Sequence, residues 1–327
     1  MNAKQNALEI IRFGKPEKVV GGLPCHGIGY FGANHEGFDN PRAERGVPVG
    51  GTWTDIWGIG WEKEQEDIMG FFKLSPLADL PAALKTYRWP DPDEERICGQ
   101  IYQEAPKADR SQLFLGGSHR SVLWERAYKL VGMEDLMCYF HTEPTAVKEL
   151  LRRTMDFQLG VARHYLKVGI EVAFFSEDLG TQQGLLLSPE IVHEFFVPEY
   201  RRLFDLYKQN GVLINFHSCG HITPLLELFI ELGIDVLNPV QSSANDLAEV
   251  RRITQGRMAL QGGVSSGLLV SGPTEAIRQE VRRCLWVLGR EGGYFCGPDQ
   301  GMPWPKEHID AYTQALEEFG TYPLREA

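Results

Sequence analysis

His217 and Cys219 stand two positions apart at the end of a short apolar run, Val212-Leu213-Ile214-Asn215-Phe216. On a strand, residues i and i+2 point to the same side, so this spacing aims an imidazole and a thiolate at one point. A nitrogen and a sulfur donor converging in this way suit a soft-to-borderline metal such as zinc. Gly220 then lets the chain turn away. Zinc needs three or four ligands, and the candidates for the third are Cys296, which also falls at a predicted strand end, and an oxygen of Asp178 or Glu177. The competing reading makes Cys219 a small buried residue and His217 a hydrogen-bonded or substrate-orienting histidine.

Glu177 and Asp178 are adjacent, so on an extended chain they point opposite ways and at most one faces a common crevice. Its chemistry would be that of a metal ligand, a general base or a partner for a substrate hydroxyl. The bland alternative is a carboxylate that bonds backbone N–H groups of its own loop. Earlier in the chain, Trp53-Thr54-Asp55-Ile56-Trp57-Gly58 surrounds one acid with aromatic rings. That combination suits either a pocket for an apolar or ring-bearing ligand, with Trp53, Asp55 and Trp57 lining it, or an aromatic core loop. His26, His35, His119 and Trp304 are further candidates for the mouth of such a site. Gly116-Gly117-Ser118 lacks the lysine and spacing of a phosphate loop, and Glu62 to Asp67 reads as a solvated charge run.

The elements that position these residues alternate clearly in the second half. Short apolar strands are expected at 171–175, 212–216, 234–237, 258–260 and 294–296. Helical segments are expected from Ser188-Pro189-Glu190 onward and at 223–232, 247–253, 274–288 and 306–319, with Ser188 as a helix cap. Strands alternating with amphipathic helices imply parallel pairing with crossover helices. A (β/α)₈ barrel is the preferred architecture, with residues 1–327 as one barrel domain and an open doubly wound sheet as the alternative. In the first half, Gly- and aromatic-rich residues 20–62 read as irregular segments at the barrel mouth and 86–94 as a connector. Leu113 to Gly116 reads as an early strand and Glu143 to Val168 as a long helix. Functional groups of such barrels collect at the C-terminal ends of the strands. That rule gathers Glu177, Asp178, His217, Cys219, Gln241, Cys296 and Gln300 around one crevice.

The composition sets outer bounds. The chain has 327 residues, 43% of them hydrophobic, and a net charge of −11, so it has length for a large core and an acidic surface. Such a surface argues against nucleic acid or an anionic membrane as partner. No apolar run approaches a membrane span, and the N-terminal residues lack a signal-peptide pattern, so a cytoplasmic protein is expected. The six cysteines are widely spaced and read as reduced. A homodimer is compatible with all of this.

Taken in order, Asp178-Leu179-Gly180-Thr181-Gln182, Ser188-Pro189-Glu190, His217-Ser218-Cys219-Gly220 and Asp235-Val236-Leu237-Asn238-Pro239-Val240-Gln241 resemble the uroporphyrinogen decarboxylase superfamily, in particular its methyltransferase-like branch. Trp53-Thr54-Asp55-Ile56-Trp57-Gly58 and Gly292-Gly293-Tyr294 extend the resemblance over nearly the whole chain. The resemblance implies a TIM barrel. In zinc-dependent corrinoid methyltransferases of the family, a His-x-Cys pair and a later cysteine bind zinc, and a cobalamin carried by a partner protein is the other half-reactant. Carried over, this puts zinc on His217 and Cys219, with Cys296 or Asp178 completing the site. Catalytic roles fall to Asp178, Asp55 and Glu177, and substrate contacts to Trp53, Trp57, His26, Gln241 and Gln300. The expected activity is methyl transfer between a small methyl donor, such as a methyl ether, or a thiol and a cobalamin protein. The alternative is a metal-free decarboxylase-like lyase with Asp55 as the key group. Against that alternative, Leu23 to Tyr30 lacks the arginines that a polycarboxylate substrate needs.

Overall fold

The computed structural model describes residues 1–33, 47–66 and 70–326. Among the described residues there are ten strands: β1 (Cys25–Ile28), β2 (Thr52–Thr54), β3 (Gly60–Glu62), β4 (Phe71–Leu74), β5 (Phe114–Arg120), β6 (Val172–Ser176), β7 (Leu213–His217), β8 (Val236–Val240), β9 (Ala259–Val264) and β10 (Tyr294–Pro298). Seven of them form one parallel sheet in the order β1-β5-β6-β7-β8-β9-β10, with helices between successive strands from β5 onward. The sheet curls until its edges meet. Cys296 of β10 donates its N–H to Val20 O at 2.9 Å, just ahead of β1. The fold is an α/β barrel of the TIM type, as the alternation of strands and helices predicts. Among the described residues the barrel sheet has seven named strands, and the extended residues around Val20 close it.

The strands obey their period of two. Phe114, Val172, Val236, Ala259 and Phe295 share an apolar cluster inside the barrel with Ala7, Ile10 and Ile11 of the Ala3–Ile11 helix. That helix plugs the N-terminal end of the barrel, and Lys4 Nζ anchors it to Glu171 at 2.7 Å. The alternate residues, such as Leu115, Ala173, Phe175, Ile214, Phe216, Leu237 and Leu260, pack outward into the large core under the helices. Ser188 caps its helix as expected, its Oγ accepting from Ile191 N–H at 3.3 Å. The Pro144–Lys167 helix fills the long helical prediction.

Two expectations about the first half need correction. Residues 20–62 are not all irregular mouth segments: β1 is a barrel strand, paired Cys25 with Phe114 through Ile28 with Gly117. β2, β3 and β4 make a separate antiparallel sheet in which Trp53 pairs with Trp61. The glycines and aromatics hid the strand because β1, Cys-His-Gly-Ile, carries neither an apolar run nor a clean alternation. The early strand also ends later than predicted, at Arg120 rather than Gly116. No helix among the described residues is long and apolar enough to cross a membrane.

Candidate functional site

β6 and β7 end side by side, with Ser176 opposite His217. The loops that follow are stitched together. Leu179 N–H donates to Ser218 Oγ at 3.0 Å, His221 N–H to Thr181 O at 2.7 Å, and Cys219 N–H to Asp178 Oδ1 at 2.9 Å. Two glycines permit this contact. A Cβ on Gly220, which has φ +85°, would lie 2.4 Å from Gly180 C, and one on Gly180 would lie 2.8 Å from Cys219 O.

Asp178, His217 and Cys219 thereby bring a carboxylate oxygen, an imidazole nitrogen and a sulfur within 4.8 Å of one another. His217 Nε2 is 3.2 Å from Cys219 Sγ and 3.5 Å from Asp178 Oδ1. Donor atoms of a tetrahedral zinc site stand about 3.3–3.8 Å apart, so the residues present fit such an ion with little adjustment. His217 Nδ1 faces Asn238 Oδ1 at 3.4 Å, and Asn238 Nδ2 donates to Asn215 Oδ1 at 3.1 Å. This chain puts the proton on Nδ1 and leaves the Nε2 lone pair for a cation. Burial, with the Asp178 carboxylate second, pushes the Cys219 thiol up to about 12. A metal ion would reverse that by holding the thiolate.

The other candidates sort by strand facing. Gln300 joins the cluster, its Nε2 donating to Cys219 Sγ at 2.9 Å. Gln241 supports it from behind, its Oε1 accepting from Gly220 N–H at 2.5 Å. Cys296 is not in the group. It is fully buried in the outer core between Tyr294 and the helices, while its neighbour Phe295 points into the barrel. Burial raises its thiol to about 12. Glu177 also faces outward, fully buried, and caps the Trp124–Val131 helix. Its carboxylate accepts the N–H groups of Leu123, Trp124 (2.9 Å) and Glu125 (3.0 Å). Burial, then the neighbouring Glu125 carboxylate, raises Glu177 to about 8.

Asp55 belongs to a different cluster. It accepts Trp57 N–H at 2.8 Å, Ile59 N–H at 3.0 Å and Trp61 Nε1–H at 3.0 Å, and lies 3.5 Å from Arg126 Nη1. Burial raises its pKa against the opposing pull of Arg126. Trp57 carries the Arg126 guanidinium on its ring at 4.7 Å, and Trp53 stacks on Trp61 with centroids 6.3 Å apart. His26 Nε2 is buried without a hydrogen-bond partner among the described residues, as is Trp304 Nε1. His119 turns outward to Gln158 (2.7 Å) and Tyr207 (2.6 Å). His35 lies outside the described residues.

Directly beside His217, a cavity of about 240 Å³ opens between the ends of β5, β6, β7 and β8. Ser118, Arg120, Ser176, Asn215 and Asn238 line it. The spacing and strand-end rules do not mark any of these as a site residue. Two signals were there: a polar Asn215 inside an apolar strand, and Arg120 at the true end of β5.

A family model for uroporphyrinogen decarboxylase (URO-D) matches residues 120–319, well over half of the chain. The chain belongs to the uroporphyrinogen decarboxylase family. It is 25% identical over 182 residues to a uroporphyrinogen decarboxylase of Carboxydothermus hydrogenoformans, covering 54% of this chain and 49% of that one. It is 32% identical over 93 residues to the uroporphyrinogen decarboxylase of Edwardsiella ictaluri, covering 28% of this chain and 25% of that one. The chain thus spans about half the length of the first relative and a quarter of the second. Among solved structures, a methyltransferase from Methanosarcina mazei superposes with a TM-score of 0.69 at 18% identity, covering 98% of this chain and 99% of that one. The family match takes in Arg120, β6 to β10 and the whole His217 cluster, and leaves out the Asp55 sheet.

Proposed function

We propose that the protein is a zinc-dependent methyltransferase that moves a methyl group between a small methyl donor and a cobalamin carried by a partner protein. The observation that carries the reading is the triad of Asp178 Oδ1, His217 Nε2 and Cys219 Sγ, spaced as zinc ligands are. A zinc ion bound there would supply Lewis acidity to the heteroatom that bears the methyl group. The chain's own residues do the rest. Asn238 holds the His217 ring with Nε2 forward, and Asp178 ties its strand end to the Cys219 backbone. Gln300 stands at the sulfur as the nearest neutral donor. In demethylation of an ether, the bond from oxygen to methyl breaks, the bonding pair stays on oxygen, and a proton replaces the methyl group. A reduced corrinoid on the partner protein would supply the nucleophile that takes the methyl group.

Metal-free decarboxylation through Asp55 fits less well, because backbone N–H groups, Trp61 and Arg126 already occupy that carboxylate. The deciding experiment is elemental analysis of protein purified without chelator or histidine tag. Wild type should carry about one zinc per chain, and Cys219→Ser and Asp178→Asn should lose it. Cys296→Ser should keep it. Transfer of methyl from a methyl ether to cob(I)alamin is followed in parallel by absorbance. A metal-free wild type that transfers no methyl ends the proposal.

A further inference from the structure

The cavity beside His217 gathers several hydrogen-bond donors over an aromatic ring, and the proposed methyl transfer alone does not require that. Strand register places its residues in two tiers. Arg120 lies opposite Ser176, Ser176 opposite His217, and His217 opposite Asn238. One pleat deeper, Ser118 lies opposite Phe174 and Phe174 opposite Asn215. Asn215 is 1% exposed. Its Oδ1 is taken by Asn238, and its Nδ2 is buried with no partner among the described residues. A buried amide donor left unpaired destabilises the fold, so an acceptor from outside the chain would relieve a standing penalty. A guanidinium has only donors to offer, and serine hydroxyls can donate as well.

We propose that this cavity seats the carboxylate of a small substrate. Arg120, the Asn215 amide and the Ser118 and Ser176 hydroxyls would hold the oxygens, over the Phe174 ring. The carboxylate seat rests on the cavity; that the far end of the ligand is the methylated heteroatom rests on the methyl-transfer reading. The dimensions restrict the class further. Neighbouring strands are about 4.8 Å apart, so the Arg120 and His217 backbones, two strands apart, are separated by roughly 10 Å. With both side chains reaching inward, only a few bonds separate the carboxylate from the metal-facing atom. The cavity is also smaller than the roughly 300–1,000 Å³ typical of sites for drug-sized ligands. The substrate is therefore a short methylated monocarboxylate rather than a large polycarboxylate.

The test compares methoxyacetate with 2-methoxyethanol, which has nearly the same size and no charge. Binding is measured by ligand-observed NMR titration on chelator-treated protein, so that chelation of zinc cannot mimic the seat. Methoxyacetate should bind at least about tenfold more tightly, the scale of one charge-assisted hydrogen-bonded pair. Arg120→Gln and Asn215→Leu should each remove most of that preference, and Arg120→Lys should keep part of it. Ser176→Asp, which adds a like charge without removing a large side chain, should abolish methoxyacetate binding, with thermal unfolding as the check on folding. Equal affinity for the two probes, binding of neither, or folded variants that bind as wild type overturns the seat. Methoxyacetate binding with no methyl transfer to cob(I)alamin leaves the seat and removes the methyltransferase reading. Transfer from 2-methoxyethanol as fast as from methoxyacetate does the reverse.

Discussion

Two buried side chains make opposite demands on their surroundings. Arg126 is fully buried, and Asp55 is its counter-ion at 3.5 Å. Replacing Asp55 with asparagine leaves that guanidinium uncompensated, and breaking a buried pair in this way costs about 3–5 kcal/mol. Urea denaturation of Asp55→Asn should show a loss of that size, with zinc content unchanged in the folded fraction. Full stability combined with lost activity would instead assign Asp55 to the substrate. His119, by contrast, is buried as a neutral ring against Phe175, and burial lowers its pKa to about 4 from 6.5. The unfolded chain therefore binds the extra proton between these values, and stability falls as pH drops from about 6.5 to about 4. The contribution is about 3 kcal/mol at one pKa unit per 1.36 kcal/mol. Denaturation midpoints across that range should fall more steeply for wild type than for His119→Gln, and identical slopes would refute the assignment.

The Trp124–Val131 helix has no cap from its own flanking residue; Glu177, more than fifty residues later, supplies one. Its side-chain oxygens accept N–H groups at the start of the helix that have no partner within it. The same arrangement anchors the end of β6, since Asp178 N–H donates to Glu125 Oε1 at 3.2 Å and Glu125 is paired with Lys129 at 2.8 Å. Glu177→Ala should therefore cost about 1–3 kcal/mol for donors left unpaired, and Glu177→Gln less, both read by chemical denaturation. A catalytic Glu177 would give the reverse pattern, with activity lost at unchanged stability. The paired loops are equally exacting. Gly220→Ala puts a methyl against the Gly180 backbone and adds strain at φ +85°. Because the loops must part to admit it, zinc affinity should drop together with thermal stability. A variant with wild-type affinity in a chelator competition would show that the loops are not what holds the donors together.

The barrel as a whole is filled in tiers. The Ala3–Ile11 helix and the lower inward residues form an apolar plug, and the polar cavity begins above it. Ile10 is fully buried in the plug. Ile10→Ala should destabilise the protein by about 2–5 kcal/mol, as large-to-small changes in cores do, and zinc binding at the far end should survive in the folded protein. Loss of zinc without loss of stability would place the helix in contact with the site. The acidic total charge of −11 says nothing of this interior, because the charges that dominate it lie on the surface, while the cavity selects its own residues.

The barrel was legible because period and length are local properties. The five later strands lie within one or two residues of their expected starts, and His217 and Cys219 share a face because their spacing is two. Asp178 and Glu177 were opposite in facing from sequence alone, but which one turned inward needed the register of β6, which points Ser176 into the barrel and Glu177 toward the helices. The same single-residue parity removed Cys296 from the His217 cluster, since Phe295 is the inward residue of β10. Arg120 was out of reach because β5 runs four residues beyond its apolar start, carried by pairing with β6 rather than by its own composition. Local pattern thus decides which residues can share a face. Only the closed sheet, by fixing register against neighbours far away in the chain, decides which face looks into the barrel.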